Sequence, residues 1–278
     1  MIPYIRHLIL DFDETLTLVD TISLLSSAAY RLRPTTVPAL PPWSYFAESW
    51  LDDYNRHVQS YPHLRRTLDD EYQFLASLAP VERASIRRIE KAGVFTGLRI
   101  NDLAHAAEET VTVRPGLWQA CRPVLDAGGR VSVLSVNWSK EWIRSAERVK
   151  FELEVEVVSN SLCEDGTTTT GEITREPALG EDHGIWTAQN KTVMMKRLVE
   201  GGGSEGLVVY VGDSSTDLMC LLQADVGVVI GDKLDAVCER FGIELVDGLT
   251  DVRCAKDGQQ RLYKVRDLQI LGRWIREE

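Results

Sequence analysis

The chain has 278 residues, 44% of them hydrophobic and 26% charged, enough for one large domain or two modest ones. A formal net charge of −11 at pH 7 argues against a nucleic-acid surface, which would be basic. It does not argue against a phosphorylated substrate, because a metal ion and one or two lysines make a local positive site.

In chain order, Leu8-Ile9-Leu10 reads as a short buried strand. The residues before it, Met1 to His7, lead directly into that strand, a pattern expected of a chain without a signal peptide. From about Thr21 to about Thr112 the sequence contains no convincing strand. It reads as an inserted helical domain, with helical patterns over Leu64–Leu78 and Val81–Lys91 and a Pro-rich connector from Arg31 to Pro42. Arg114-Pro115-Gly116 marks the return to the core. Further strands are expected at Val131–Val136, Val155–Val158, Leu207–Val211, Val226–Ile230 and Ile243–Val246. Helical patterns at Ser139–Val149, Lys191–Val199 and Asp217–Gln223 separate most of them, with Ser139 as an N-cap. This alternation predicts an α/β fold with a doubly wound, mainly parallel, Rossmann-like sheet. Gly201-Gly202-Gly203-Ser204 lies between a helix and a strand, and reads as a flexible connector rather than a phosphate loop.

No apolar run approaches the length of a membrane span, so no membrane partner is expected. The five cysteines, at 121, 163, 220, 238 and 254, lack any CxxC spacing. Reduced thiols in a cytoplasmic compartment are the expectation. His7, His57, His63, His105 and His183 do not cluster at metal-ligand spacings.

Chemistry concentrates at strand ends. Asp11 and Asp13 follow the first strand, where ligand sites of open α/β sheets lie. Two like charges a few ångströms apart repel, and a hard divalent cation such as Mg²⁺ resolves that cost. Val209-Tyr210-Val211-Gly212-Asp213 places a third acid at another strand end, with Asp217 four residues on at a helix start. A GDxxxD string alone is equally a strand end followed by an Asp N-cap. Four acids converging from two strands make little sense without a metal. Ser135 ends the Val131 strand in a hydroxyl that could donate to a phosphoryl oxygen, although a serine there is usually a turn residue. Lys191 opens an amphipathic helix on which Lys196 competes for any role.

Together these residues resemble the four motifs of the haloacid dehalogenase (HAD) superfamily: DxDxT at Asp11, Asp13 and Thr15, then Ser135, Lys191, and GDxxxD at Asp213 and Asp217. The gap between the first two motifs resembles the helical C1 cap of phosphoserine-phosphatase-like members. The resemblance implies a catalytic core of residues 1–20 and 113–278 and a cap of 21–112. Asn160–Ile173 resembles the hairpin those members carry before the lysine motif. A narrower similarity links Leu134–Ser139, Ile143–Ala146, Gly212–Ser214, Asp217–Asp225 and Val19-Asp20 to the HAD domain of plant thiamine monophosphate phosphatases. Their thiaminase-like domain has no counterpart within these 278 residues.

The resemblance implies a phosphomonoester hydrolase acting on a small phosphorylated metabolite, with thiamine monophosphate the most specific candidate. Asp11 would be the nucleophile, forming an aspartyl-phosphate. Asp13 would be general acid and then general base. The implied metal site is Asp11, Asp213, Asp217 and the backbone carbonyl of Asp13, holding Mg²⁺. Ser135 and Lys191 would bind the remaining phosphoryl oxygens. A dehalogenase would not need the acid cluster, and a phosphonatase would need a cap lysine, for which Lys91 is the sole candidate. Two other readings stay open: a HAD-like regulatory or binding protein without turnover, and a phosphotransferase.

Thr15, Asp20, Asn137 and Trp138 are the candidate substrate-binding residues, Thr15 also fixing the first-motif loop. Asp20 is equally a helix N-cap. Arg114 could bind an anion or pair with an acid. Trp43, Tyr45, Phe46, Trp50, Tyr54 and Tyr72 could stack on a flat cation or form the core of the inserted segment.

Overall fold

A computed structural model describes residues 4–34, 39–151, 155–174, 176, 179, 184–200, 205–250, 252 and 260–276, with the side chains of 147–151 outside the description. Gly201–Ser204, His183, Cys254, Met1–Pro3 and part of the Pro-rich connector lie outside the described residues.

The first strand, β1 (Ile5–Leu10), is followed by five helices and no strand among the described residues. These are α1 (Ile22–Leu32), α2 (Trp43–Ser60), α3 (Leu68–Ser77), α4 (Ala79–Ala92) and α5 (Ile100–Thr110). The expected Leu64–Leu78 helix starts four residues late. Thr67 and Asp70 form a reciprocal capping box, which fixes the start at Leu68. The chain leaves and re-enters the sheet along adjacent paths: Thr17 bridges Val113, and the Arg114 amide donates to the Leu16 carbonyl at 2.7 Å.

The chain continues through α6 (Leu117–Asp126), β2 (Arg130–Leu134), α7 (Lys140–Phe151) and β3 (Glu156–Val158). The hairpin β4 (Leu162–Glu164) and β5 (Thr169–Ile173) is antiparallel, as expected of the 160–173 stretch. Then come α8 (Ala188–Glu200), β6 (Leu207–Gly212), α9 (Leu218–Gln223), β7 (Val226–Ile230), α10 (Asp235–Phe241), β8 (Glu244–Asp247), β9 (Arg261–Val265) and α11 (Leu268–Arg276). Ser139 does cap α7, its hydroxyl accepting from the Trp142 amide at 3.2 Å. Strand β9 and helices α6, α10 and α11 did not stand out in the sequence. The β9 run, Arg-Leu-Tyr-Lys-Val, has neither a strict alternation nor a continuous apolar stretch, and five residues are too few to be distinctive.

Seven strands form one parallel sheet in the order β3-β2-β1-β6-β7-β9-β8. The fold is α/β and doubly wound. Chain order runs outward from β1 through β2 to β3, then resumes on the other side of β1 at β6. The β1/β6 boundary is therefore the switch point, where a crevice opens at the strand carboxyl ends. Leu10 is in register with Val133 on one side and Val211 on the other, so the strand ends of β1, β2 and β6 are level. Leu8, Ile9, Val133, Val209 and Val211 are fully enclosed, as expected of strands covered on both faces. That burial fixes the residues immediately after the strands.

Candidate metal-binding and catalytic site

Asp11 leaves β1 with its amide donating to the Val211 carbonyl at 2.9 Å, so the first acid is still held by the sheet. Asp213 follows β6, and Asp217 begins α9. Asp11, Asp213 and Asp217 are all buried, and each can present a carboxylate oxygen within 4.8 Å of the others. Among the described residues this is the sole cluster of acids, histidines or cysteines so arranged.

Lys191 closes the cluster. It is fully buried in the first turn of α8 and donates to Asp11 Oδ1 and Asp217 Oδ1, each at 2.5 Å. Its placement has a local cause. Thr187 and Asn190 bond reciprocally, the Thr187 amide to Asn190 Oδ1 at 3.1 Å and the Asn190 amide to Thr187 Oγ1 at 3.3 Å. This starts α8 at Ala188, one turn before the pattern suggested, and turns Lys191 inward. The competition with Lys196 is settled by that geometry, because Lys196 is exposed. Burial alone would lower the Lys191 pKa, but Asp11 and Asp217 hold the ammonium charged well above its ordinary range. Burial and the Asp217 charge push Asp11 up, against the pull of Lys191.

The Asp217 carboxylate turns back from its helix. Its Oδ2 accepts from the Asp213 amide at 3.3 Å, and from the Ser214 amide and hydroxyl at 3.2 and 3.1 Å. Its Oδ1 also accepts from the Tyr210 hydroxyl at 2.7 Å. Gly212 is required here, since a Cβ would lie 2.5 Å from Asp217 Cγ. The close backbone approach that Gly212 allows is to the protein's own carboxylate.

Asp13 faces elsewhere. Its Oδ1 accepts from the Thr21 amide and hydroxyl at 2.8 and 2.6 Å, and its Oδ2 from Asn137 Nδ2 at 2.9 Å. Burial raises its pKa to about 6, against the lowering effect of the Thr21 and Asn137 bonds. The expected convergence of four acids is therefore one of three carboxylates, with the Asp13 side chain separately held.

Ser135 is fully buried one residue past β2. Its hydroxyl oxygen accepts from the Asn137 amide at 3.0 Å, which leaves its hydrogen to donate. Asn137 is enclosed and positions Asp13, rather than lining a pocket. Trp138 is half-buried and does line one. Thr15 is enclosed and lies 3.4 Å from Asp213 Oδ1, an internal brace for the acid cluster. Asp20 is exposed at a cavity rim, and its Oδ1 accepts from the Ile22 amide at 3.3 Å. Arg114 pairs with no acid among the described residues. Its guanidinium donates to the Thr15 and Glu14 carbonyls at 3.0 and 2.8 Å, gripping the turn after the first motif. In that turn Glu14 adopts φ 57°, the left-handed region.

Several residues at the site escaped sequence reasoning. Thr21 and Tyr210 are uncharged hydroxyls with no motif signal. Lys233, beyond β7, donates to Asp213 Oδ2 at 2.7 Å and pairs with Glu14. Lys91 is exposed at the end of α4 and lines no described cavity, which leaves the phosphonatase reading without support.

The donor set fits a hard divalent cation. Four carboxylates (Asp11, Asp213, Asp217, Glu14) face two ammonium groups, so negative charge is in excess. Asp11 Oδ2 has no protein partner among the described residues.

Two cavities adjoin the site. One, of about 570 Å³, is lined by Asp20, Trp43, Phe46, Trp50, Glu82 and Trp138, among others. Of the six aromatic residues noted in the inserted segment, only Trp43, Phe46 and Trp50 line it. Tyr45 is exposed, while Tyr54 stacks on Trp50 with ring centroids 5.3 Å apart. A second cavity, of about 460 Å³, runs from Trp50, Glu82 and Trp186 to Ser214, Thr216 and Lys233. No helix among the described residues is long and apolar enough to cross a membrane.

Comparison with known proteins agrees with this layout. The chain is 26% identical over 260 residues to the Arabidopsis thaliana bifunctional TH2 protein, named as mitochondrial, covering 85% of this chain and 41% of that protein. It thus spans about two fifths of the plant protein's length. It is 29% identical over 274 residues to a CTO1 family protein of Schizosaccharomyces pombe, covering 93% and 95% of the two chains. A solved phospho-aspartyl intermediate analogue of phosphoserine phosphatase shares the fold, at TM-score 0.53 and 15% identity, covering 95% of this chain and 96% of that one. The sequence model of the haloacid dehalogenase-like hydrolases matches residues 8–222, from β1 through α9 and hence across every residue of the acid cluster. The chain belongs to the haloacid dehalogenase-like hydrolase family.

Proposed function

We propose that this protein is a Mg²⁺-dependent phosphomonoester hydrolase acting on a small phosphorylated metabolite through an aspartyl-phosphate. The observation that carries the reading is the division of labour between Asp11 and Asp13. Asp11 sits in a buried cluster with Asp213, Asp217 and Lys191, while Asp13 is hydrogen-bonded outside it.

In this reading Asp11 attacks phosphorus and the bond to the leaving oxygen breaks. The proton of Asp13 goes to that oxygen. Water then attacks the acyl phosphate, Asp13 takes its proton, and phosphate leaves. A carboxyl with a pKa of about 6 can serve in both directions near neutrality. Asp11, Asp213, Asp217 and the Asp13 carbonyl would hold Mg²⁺, which offsets repulsion between the nucleophile and the phosphate. Lys191 uses two of its three N–H donors on Asp11 and Asp217, so one remains for a phosphoryl oxygen, and the Ser135 hydroxyl supplies another. Residues 21–112 act as the cap over a core of 1–20 and 113–278.

Thiamine monophosphate is the most specific substrate candidate. Its support is the similarity around Ser135 and Asp213 noted above, together with an aromatic cavity suited to a flat, cationic leaving group. Phosphate release should be measured against a panel of phosphorylated metabolites with and without Mg²⁺. Metal-dependent turnover that Asp11→Asn abolishes is expected. No turnover of any member, with Asp11→Asn matching wild type, would sink the proposal.

A further inference from the structure

Glu82 stands where the two cavities meet. It lines both, as do Trp50 and Trp186. The first cavity reaches Asp20, Ile22 and Trp138, the chain neighbours of Thr21 and Asn137, which hold Asp13. The second reaches the Ser214–Thr216 turn beside Asp213. The Glu82 carboxyl accepts one hydrogen bond, from the Trp50 indole to Oε1 at 3.1 Å. Its Oε2 has no protein partner among the described residues. Among the described residues, no lysine or arginine lines the first cavity. In the second, Arg65 is paired with Glu71 and Lys233 with Asp213 and Glu14. A half-buried carboxyl in the wall of an aromatic cavity, with no cation beside it among the described residues, is completed by a ligand that brings hydrogen-bond donors.

We infer that Glu82 reads the leaving group, which is a flat heterocycle bearing a ring nitrogen beside an amino substituent. The inference rests on the phosphohydrolase reading for the term leaving group, and it specifies the substrate class of that site. The N=C–NH₂ edge offers an acceptor and a donor side by side. A neutral carboxyl meets it by donating to the ring nitrogen and accepting from the amine. A carboxylate meets the protonated edge with two acceptor oxygens. The pair is neutral either way, so a site of low polarity tolerates it. Burial raises the Glu82 pKa to about 7, against the Trp50 bond, so both forms are accessible. The rings of Trp43, Phe46 and Trp138 supply stacking faces, Trp43 lying 5.6 Å from Phe46 and 6.2 Å from Trp138 between centroids. Most phosphorylated metabolites, such as sugar or amino-acid esters, have no such edge.

The test uses thiamine, which carries this edge but no phosphate, as a quencher of tryptophan fluorescence in the full chain without metal. Saturable quenching is expected, weakened at least tenfold in Glu82→Leu and in Glu82→Ala, neither of which offers the edge a donor or an acceptor. The ratio of kcat/KM for thiamine monophosphate to that for p-nitrophenyl phosphate should fall by a similar factor. Wild-type protein that thiamine fails to quench would overturn the inference, as would variants that bind thiamine normally. Thiamine binding without metal-dependent phosphate release would instead overturn the hydrolase reading and leave the Glu82 assignment standing.

Discussion

Replacing Lys191 with methionine keeps the unbranched stem of a fully buried side chain, one atom shorter, and removes its charge. Lys191 contacts two buried carboxylates, each at 2.5 Å. At an effective dielectric of 20, one such contact is worth on the order of 4 kcal/mol. Dehydrating the ammonium group costs several kcal/mol in return. Removing one partner of a buried ion pair leaves uncompensated charge, and the expected net loss of stability near pH 8 is about 3–5 kcal/mol. The loss should depend on pH. Without Lys191, whose charge holds it down, the native pKa of Asp11 rises further above the unfolded value, so the native state binds more protons. Stability of the variant then falls as pH rises, and recovers on acidification by roughly 1.4 kcal/mol per pH unit for each proton taken up. Urea unfolding followed by circular dichroism, in EDTA from pH 5.5 to 8, measures both effects. Adding Asp217→Asn to the variant should return part of the loss, since one stranded charge is gone. A loss below about 1 kcal/mol that is flat with pH would refute this account of the cluster.

Glu82→Gln should stabilise the protein at pH 8. The wild-type carboxyl has its pKa raised from 4.5 to about 7, so the native state favours the proton and stability is lost as pH rises through that window. The amount is at most about 3 kcal/mol, and the variant's melting curve should lack this slope. Mg²⁺ at a hundred times its Kd should stabilise by roughly 2.7 kcal/mol in a thermal melt, and Asp213→Asn should remove the shift. Thr21→Val removes a hydroxyl donor that lowers the Asp13 pKa, so the alkaline limb of the kcat/KM profile should move upward from about pH 6. Gly116→Ala would set a Cβ 2.3 Å from the Gln269 amide at φ 98°, and a loss of stability of about 1–3 kcal/mol is expected on urea titration.

Elements that follow from local pattern were legible in the sequence. The apolar runs Leu8–Leu10, Leu207–Val211 and Val226–Ile230 each lie within a strand: β7 has the expected bounds, β6 runs one residue further to Gly212, and β1 starts three residues earlier at Ile5. The Ser139 cap and the 160–173 hairpin carry their own turn chemistry. Helix starts were less legible where a polar side chain decides them, as Thr67 does for α3 and Thr187 with Asn190 for α8. Strand β9 lies between β7 and β8, and that position depends on pairing rather than on its own five residues.

For the site, the sequence by itself determined which chemistry is present: carboxylates at strand ends, a hydroxyl, and a lysine at a fixed order along the chain. What each group touches was decided by tertiary structure alone. The sheet order brings β1 beside β6, and so sets Asp11 against Asp213 and Asp217 across about two hundred residues of chain. The start of α8 places Lys191 between two of those acids. Thr21, Tyr210 and Lys233 gain roles only through such approaches. The physical reason is that local propensity acts over a few residues, whereas hydrogen bonds and charge pairs act through space. Glu82 shows this most plainly. On a helical wheel it is an ordinary glutamate of α4, and only the fold sets its carboxyl, half-buried and bonded to the Trp50 indole, in the wall of both cavities.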